Sequence, residues 1–300
     1  MHIDQKYYNN NLGNRIFNFV NVSTIVVLTF MMIYPFINQL AISLNEGVDA
    51  SMGGIYFFPR KFSLENYEYV LKNQSMIKGA IVSIMRVIVG IVTCLLCTGL
   101  LAYVVTVRHF SGRRFMRIIY LISMYVMGGL IPYYILIIKL QLNNTFHVYY
   151  LPFLFNTYYM LIMASYMQNI PEAISESARI DGASELFIFF RIMVPMSLPV
   201  FACIAIFTGV FQWNSWFDVH LFSTNGEWDN LQIILRRLLN EVQNQSEIRQ
   251  MQLEFRKYLG ITTVSIRAAT TMIVTLPIIF IYPIFQKYFI GGITIGSVKG

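Results

Sequence analysis

The sequence predicts an all-α integral membrane protein with six transmembrane helices, and two observations carry that prediction. The first is composition: 56% of the 300 residues are hydrophobic, only 12% are charged, and the mean hydropathy is +0.56. Soluble globular domains carry about 25% charged residues. The second is charge spacing, because six long intervals contain no Asp, Glu, Lys or Arg: 16–45, 87–107, 118–138, 140–171, 192–217 and 268–286.

Each of these intervals is long enough for one membrane-spanning helix. A helix needs roughly 20 residues, at about 1.5 Å of rise per residue, to cross a hydrocarbon core of about 30 Å. The first interval is too long for the core of a signal peptide, so we expect an uncleaved first span. One transmembrane domain over residues 1–300 is predicted, with spans at approximately 16–44, 79–106, 116–138, 148–168, 196–215 and 267–286.

The short loop at 108–117 predicts the orientation. It holds four arginines and no acidic residue: Arg108, Arg113, Arg114 and Arg117. Short loops rich in Lys and Arg stay in the cytoplasm, and six spans then place both termini there as well. The basic residues on the outer side lie mostly in two long loops, roughly 46–78 and 218–265, where acids accompany them, so the net charge of +7 does not indicate nucleic-acid binding.

Three local features are expected along the first half of the chain. Ser63 is placed to cap a short helix from Leu64 to Leu71. Arg86 lies inside the outer end of span two, and we expect it to extend to the membrane interface rather than to act as a functional arginine. In span three, the run Gly128-Gly129-Leu130-Ile131-Pro132 predicts a helix break that faces protein or a water-filled cavity.

The residues needed for catalysis or metal binding are missing. The glycine-rich tail lacks the lysine and the following helix of a phosphate-binding loop, and the four histidines are scattered singly. Cys94, Cys97 and Cys203 fall within predicted spans, where we expect packing rather than redox or metal chemistry. No carboxylate or lysine lies inside the charge-free intervals, although most proton-coupled transporters need one there. We therefore expect no enzyme, no metal and no cofactor on this chain.

The segment from 169 to 195 is rich in Glu, Arg and Asp between two apolar spans, and we call it the 169–195 loop. Pro171 ends the preceding helix and suits the start of the next. In that helix Glu172, Glu176 and Arg179 recur at i, i+4 and i+7, beside a small, mostly apolar face of Ala173, Ser177 and Ile180. Gly182 is placed to turn the chain into a second short helix, 184–190.

Polar and aromatic residues at membrane depth are the other positive signal. Aromatic faces with amide and hydroxyl groups suit neutral solutes rich in hydroxyls, such as sugars. Alternatively, the aromatic residues form interface belts and the amides satisfy neighbouring helices. The candidates for a substrate path are Tyr133, Asn156, Trp213 and Asn214, with Tyr134 and Gln212 beside them.

The 169–195 loop resembles the cytoplasmic coupling-helix loop of permease subunits from bacterial ATP-driven (ABC) importers, within the sugar-importer branch related to the maltose system. The resemblance rests on Glu176, Ala178, Asp181-Gly182-Ala183, Pro195 and Leu198-Pro199. It extends to Asn66-Tyr67, to Gly128–Pro132, to Trp213-Asn214 and to the end of the chain. Ser177 stands where alanine is more usual, a small-for-small change.

This resemblance implies the type I importer permease fold and two contacts with a separate ATPase. The docking residues would be Glu172, Glu176, Ser177, Ala178, Asp181, Gly182 and Ala183. The tail residues Ser297, Val298, Lys299 and Gly300 would contact the ATPase dimer, as one permease's tail does in maltose-type relatives. The alternatives are a solvated interhelical loop and a frayed terminus.

The resemblance also implies the partners. They are a second, homologous permease forming a heterodimer, two ATPase subunits that hold ATP and Mg, and an extracellular solute-binding protein, at a bacterial plasma membrane. The implied substrate is a sugar, an oligosaccharide or a polysaccharide fragment. An importer permease for a non-sugar solute and a secondary transporter are the alternatives.

Overall fold

The computed structural model describes residues 12–126, 128–240 and 260–292. These residues form helices joined by turns, with an isolated β-bridge between Asn45 and Phe62, so the all-α prediction is confirmed. The helices are α1 (Leu12–Ser43), α2 (Gly47–Ser51), α3 (Glu65–Lys72), α4 (Gln74–Thr106), α5 (Arg113–Tyr125), α6 (Leu130–Lys139), α7 (Thr157–Met167), α8 (Glu172–Ile180), α9 (Glu185–Ile188), α10 (Val194–Met196), α11 (Leu198–Asn214), α12 (Phe217–Phe222), α13 (Leu231–Asn240) and α14 (Thr263–Gly292).

The predicted spans correspond to helices of different lengths. Among the described residues, α1, α4 and the Thr263–Ile281 part of α14 are each long and apolar enough to cross a membrane. Two bent pairs also qualify if each is one span: α5 with α6, at 113°, and Glu185–Met196 with α11, at 84°. The described residues thus supply three to five spans by length and composition. The sixth remains a prediction.

Predicted span 148–168 contains a much shorter α-helix than the prediction required. The chain passes through 3-10 turns at Phe146–Tyr149 and Leu151–Phe153, and α7 then runs for only 11 residues. Asn156 sets its start, because its Oδ1 accepts a hydrogen bond from the Tyr159 N–H at 3.1 Å. The first part of the expected helix is therefore formed by 3-10 turns, and the α-helix begins only at the Asn156 cap.

The predicted break in span three lies at the glycines. Helix α5 ends at Tyr125, α6 begins at Leu130, and Gly129 has φ +83°, a left-handed conformation that favours glycine. Pro132 lies in the first turn of α6, where its missing N–H needs no helical partner. The break is confirmed, and its position follows from Gly129 rather than from Pro132. Residues 128–132 are exposed in the described chain, so the expectation that the break faces protein or a cavity stays a prediction.

The contacts divide the chain into two compact units, Met1–Lys72 with Glu241–Ile273, and Asn73–Asn240 with Val274–Gly300. In the first unit, Ser63 Oγ accepts from the Glu65 N–H at 3.2 Å and α3 follows, as predicted. Asn66 Nδ2 donates to the carbonyls of Ser43 and Asn45, at 3.0 and 2.8 Å. These bonds fasten α3 to the end of α1.

In the second unit, α4 packs against α7 and α11 around a buried apolar cluster. Met160, Met163 and Ile204 are fully buried there. Gly99 allows the close approach, because a Cβ at that position would lie 2.9 Å from Cζ of Phe201. Between membrane helices such small residues and dense packing replace the hydrophobic effect, since lipid tails are as apolar as the core.

A buried ion pair joins three helices of this unit. Arg86 on α4 is fully buried, and both terminal nitrogens of its guanidinium donate to the carboxylate of Asp218 on α12. Its Nε donates to Oε1 of Gln212 on α11 at 2.7 Å. Its Cζ lies 4.8 Å from the ring centroid of Tyr149. The expectation that Arg86 extends to the interface is therefore wrong, because a carboxylate inside the protein supplies the countercharge.

Removing one partner of this pair is expected to destabilise the fold. Arg86→Leu leaves Asp218 buried without its cation, which typically costs about 3–5 kcal/mol. The double variant Arg86→Leu/Asp218→Leu should recover most of that loss, because two apolar groups then replace two charges. Apparent melting temperatures of the detergent-purified protein measure both effects.

Lys78→Leu is the matched control, since Lys78 is an exposed cation on the same helix. Its melting temperature should stay close to that of the unsubstituted chain. Equal destabilisation of Arg86→Leu and the double variant would contradict the assignment, because side-chain volume rather than unpaired charge would then be the cause.

Candidate functional site

The 169–195 loop folds into two short helices joined by a tight turn. Helix α8 begins after Pro171, with Glu172 in its first turn and Arg179 in its last. Both charges favour the helix, because an acid at the N-terminus and a base at the C-terminus oppose the partial charges of the helix ends. This part of the sequence prediction is confirmed.

Gly182 makes the turn. Its φ is +83°, its N–H donates to the Arg179 carbonyl at 3.0 Å, and the Ala183 N–H donates to the Ala178 carbonyl at 2.9 Å. These two bonds are the Schellman arrangement that ends a helix at a left-handed glycine. A Cβ at Gly182 would meet nothing within 4 Å, so the requirement for glycine is conformational and not steric.

The second helix begins at its own cap. Ser184 Oγ accepts from the Phe187 N–H at 3.3 Å, α9 follows, and a π-helical turn at Phe189–Met193 continues the chain toward α11. Ile188 and Phe189 are buried in the cluster between α4 and α7. The loop is thus anchored in the core at its far end.

One side of α8 faces the protein. Ser175 is buried, and Ala178 and Ala183 pack against the same apolar cluster. Glu172 Oε2 lies 2.8 Å from Nη1 of Arg108, in the short loop after α4. Small side chains and an ion pair therefore hold α8 against the end of α4.

A second polar contact closes the turn. Arg179 Nε donates to Oε1 of Glu185 at 2.7 Å, and the Tyr103 hydroxyl of α4 donates to the other oxygen of that carboxylate. The hydrogen bond with Glu185 raises the pKa of Arg179 above its ordinary value, so this contact favours the charged guanidinium. Tyr103, Arg179 and Glu185 connect α4, α8 and α9.

The opposite side of α8 is uncovered. Glu176, Ser177 and Ala173 are exposed, and Ile180 is 87% exposed. We call these four residues the outer face of α8. It combines small and apolar side chains with one carboxylate on a helix fixed from behind, which is an arrangement that suits contact with another protein.

The seven predicted docking residues thus divide between two surfaces. Glu176, Ser177, Asp181 and Gly182 are exposed, whereas Ala178 and Ala183 contact the core and Glu172 binds Arg108. The predicted tail contact at 297–300 lies outside the described residues.

Two of the four predicted path residues line one cavity. Tyr133 and Asn214 border a space of about 350 Å³, together with Trp216, Asp218 and several Phe side chains. The hydroxyl of Tyr133 is buried there and has no hydrogen-bond partner among the described residues. Aromatic faces, an amide and a free hydroxyl therefore converge on this cavity.

The other two path candidates have structural partners. Asn156 caps α7, and Trp213 Nε1 donates to the Val274 carbonyl at 2.9 Å. The structure does not bring them to the cavity that Tyr133 borders. Their place in a substrate path remains a prediction.

Asp218 was missed because it lies one residue beyond a charge-free interval. Its partner Arg86 is 132 residues away, and each stands alone near the outer end of a predicted span. Opposite charges on the outer side, one just inside span two and one just after span five, were the signal that would have paired them.

Known proteins resemble the chain over nearly its whole length. It is 32% identical to protein LplC of Bacillus subtilis over 291 residues, 97% of each chain. It is 29% identical to the polygalacturonan/rhamnogalacturonan transport system permease protein YtcP of the same organism, covering 96% of this chain and all of the relative. An arabinooligosaccharide transport system permease protein, AraQ of Halalkalibacterium halodurans, is 29% identical over 280 residues, which cover 91% of this chain and 93% of AraQ.

A solved structure has the same fold. A bacterial ABC transporter involved in import of the acidic polysaccharide alginate superposes with a TM-score of 0.86, at 24% identity, over 93% of this chain and 98% of that one. No family model matches the chain.

Substitutions at Gly182 are expected to destabilise the turn by an amount that follows the energetic cost of a positive φ for the new residue. Gly182→Val should cost about 1–2 kcal/mol of local stability, and Gly182→Asn less, because asparagine visits the left-handed region. Hydrogen exchange at the Ala183 amide reports the Schellman bond directly. Exchange at the unsubstituted rate in the valine variant would show that the turn does not depend on glycine.

Proposed function

The chain belongs to the family of sugar ABC transporter permeases, and from that premise we propose that it is a translocation subunit driven by separate ATPase subunits. The observation that carries the proposal is the 32% identity to LplC over 97% of the chain. It is supported by the 169–195 loop, whose two short helices pack against the core on one side and are exposed on the other. The chain is a multi-pass membrane protein. We propose that ATP and Mg bind to the ATPase subunits and not to this chain.

We propose that the outer face of α8 is the docking surface for the ATPase. The small side chains of Ala173 and Ser177 let a helix sink into a partner's groove, and Ile180 offers an uncovered apolar contact. Glu176 supplies a charge that fixes orientation. The tail residues 297–300 are proposed to reach the same ATPase pair.

A displacement of α8 would be transmitted into the membrane domain through two side-chain contacts. Arg108 and Glu172, and Tyr103 and Glu185, join the loop to the end of α4. Helix α4 is continuous for 33 residues, about 50 Å, and it carries Arg86 toward its other end. Closure of two docked ATPases would therefore move α4 as a rod and change the surroundings of the cavity.

The complete machine is proposed to contain a second related permease, two ATPases and an extracellular solute-binding protein. It would lie in a bacterial plasma membrane with both termini of this chain in the cytoplasm, as the arginine-rich loop at 108–117 predicts. Alternating inward-facing and outward-facing states would carry the solute past the permease pair.

An oligosaccharide or polysaccharide fragment is the proposed solute. The names of YtcP and AraQ assign such substrates to relatives of the chain. The cavity bordered by Tyr133 and Asn214 presents aromatic faces and hydrogen-bonding groups, which suit a sugar's CH faces and hydroxyls. A non-sugar solute is the alternative.

A bulky residue on the outer face should block docking without unfolding the chain. Ser177→Trp places a large side chain on an exposed position, so membrane insertion should be normal while co-purification of the ATPase falls strongly. Ser111→Trp is the control, since Ser111 is also exposed but lies in the short loop before α5. Binding of the ATPase by both variants to the same extent would refute docking at this face.

Removing one hydroxyl should separate a transport role from a structural one. The Tyr133 hydroxyl has no described partner, so Tyr133→Phe should leave the melting temperature unchanged. If that hydroxyl binds solute, the KM for uptake should rise by about fivefold, near 1 kcal/mol for one hydrogen bond. Tyr134→Phe is the control, because Tyr134 does not itself border the cavity, although it stacks on Phe222, which does. Equal KM values for the two variants would remove Tyr133 from the path.

A further inference from the structure

A second cavity lies beside the 169–195 loop. It encloses about 750 Å³ between the end of α4, the start of α5, the end of α7 and the inner side of α8. Five arginines border it: Arg108, Arg113, Arg114, Arg117 and Arg179. The carboxylate that borders it belongs to Glu172. The walls of this cavity are therefore strongly cationic.

Two of these arginines already form ion pairs with carboxylates. Arg108 pairs with Glu172 at 2.8 Å and Arg179 with Glu185 at 2.7 Å. Within 12–126, 128–240 and 260–292, no carboxylate pairs with Arg113, Arg114 or Arg117, although Arg117 Nη2 donates to the Val105 carbonyl at 3.0 Å. Three guanidinium groups thus leave an uncompensated positive charge at one cavity.

The start of α5 adds to this charge. Its first turn contains Arg113 and Arg114 and no acidic residue, and Gly112 provides no side-chain cap. Cations at a helix N-terminus are unfavourable, because that end already carries about half a positive charge. An anion in the cavity would stabilise both the helix end and the arginines.

An apolar stripe on α5 continues from Arg114, because Ile118 and Ile122 follow it at i+4 and i+8 on the same helix. Phe115 is 69% exposed, and Ile118 and Ile122 continue the exposed apolar side chains along the helix. A ligand with an anionic group for the cavity and acyl chains for this surface would satisfy both. Free phosphate would use the charges but not the apolar residues.

We propose that this cavity binds the phosphate of an anionic lipid headgroup from the cytoplasmic leaflet. Arginine matches phosphate oxygens with two parallel hydrogen bonds, and basic pockets between membrane helices suit lipid headgroups. The bound lipid would touch α5 and also α8, through Ser175 and Arg179 at the cavity wall. Lipid composition would then influence the helix that faces the ATPase.

The test uses the full-length chain in its assembled complex, titrated in detergent with short-chain phosphatidylglycerol and monitored by native mass spectrometry. Arg113→Gln and Arg114→Gln should each weaken binding by about fivefold, the effect of one basic residue near an anionic headgroup. Arg113→Lys should lose less affinity than Arg113→Gln, because the charge remains although the paired hydrogen bonds of the guanidinium are lost. Arg191→Gln is the matched control, an exposed arginine that does not border the cavity.

Two further ligands distinguish the source of the phosphate. Phosphatidylcholine of the same chain length should bind more weakly than phosphatidylglycerol, and inorganic phosphate should not displace the lipid at equal concentration. Displacement by inorganic phosphate at equal concentration would overturn the lipid assignment. An equal loss in Arg113→Gln, Arg114→Gln and Arg191→Gln would overturn the site itself, because general surface charge would then explain binding. Melting temperatures of the variants confirm that each is folded.

Discussion

Because the hydrocarbon core of a membrane contains no water, every backbone N–H and C=O at that depth must find a hydrogen-bond partner inside the protein. Helices meet that need along their length, so the fold is decided at the places where helices stop. Asn73 and Asn156 accept the first free N–H groups of α4 and α7. Gly129 turns the chain between α5 and α6, where its φ of +83° suits glycine. The breaks are therefore built from specific residues, and they deliver side chains such as Tyr133 to a cavity instead of to lipid.

The same constraint governs charge. An isolated ion at this depth is costly, and Arg86 is accommodated because Asp218, Gln212 and the Tyr149 ring surround it. That contact joins α4 to α11 and α12 near the 350 Å³ cavity, which Asp218 also borders. At the other end of α4, Tyr103 binds Glu185 and Arg108 binds Glu172, two of the three glutamates of the 169–195 loop. One continuous helix thus connects a docking candidate with a path candidate, and polar contacts fix it at both ends.

Local features were predictable from the sequence. The turn at Gly182, the cap at Ser63 and the break before Pro132 depend on residues within a few positions of each other, and each is present. Features that depend on distant residues were not predictable. The environment of Arg86 requires Asp218, 132 positions away, and the inner and outer sides of α8 depend on where α4 ends. Asn156 shows a third limit, because the same amide suits a sugar contact and a helix cap, and only the geometry reveals the cap.

The proposed mechanism requires that this chain moves solute only when a separate ATPase drives it. Reconstitution in proteoliposomes, with its partner permease and solute-binding protein, tests this directly when the ATPase subunits and ATP are added or withheld. Oligosaccharide uptake is expected only when both ATPase and ATP are present, with no response to a proton or sodium gradient. Uptake driven by an ion gradient without the ATPase would contradict this mechanism and identify a secondary transporter.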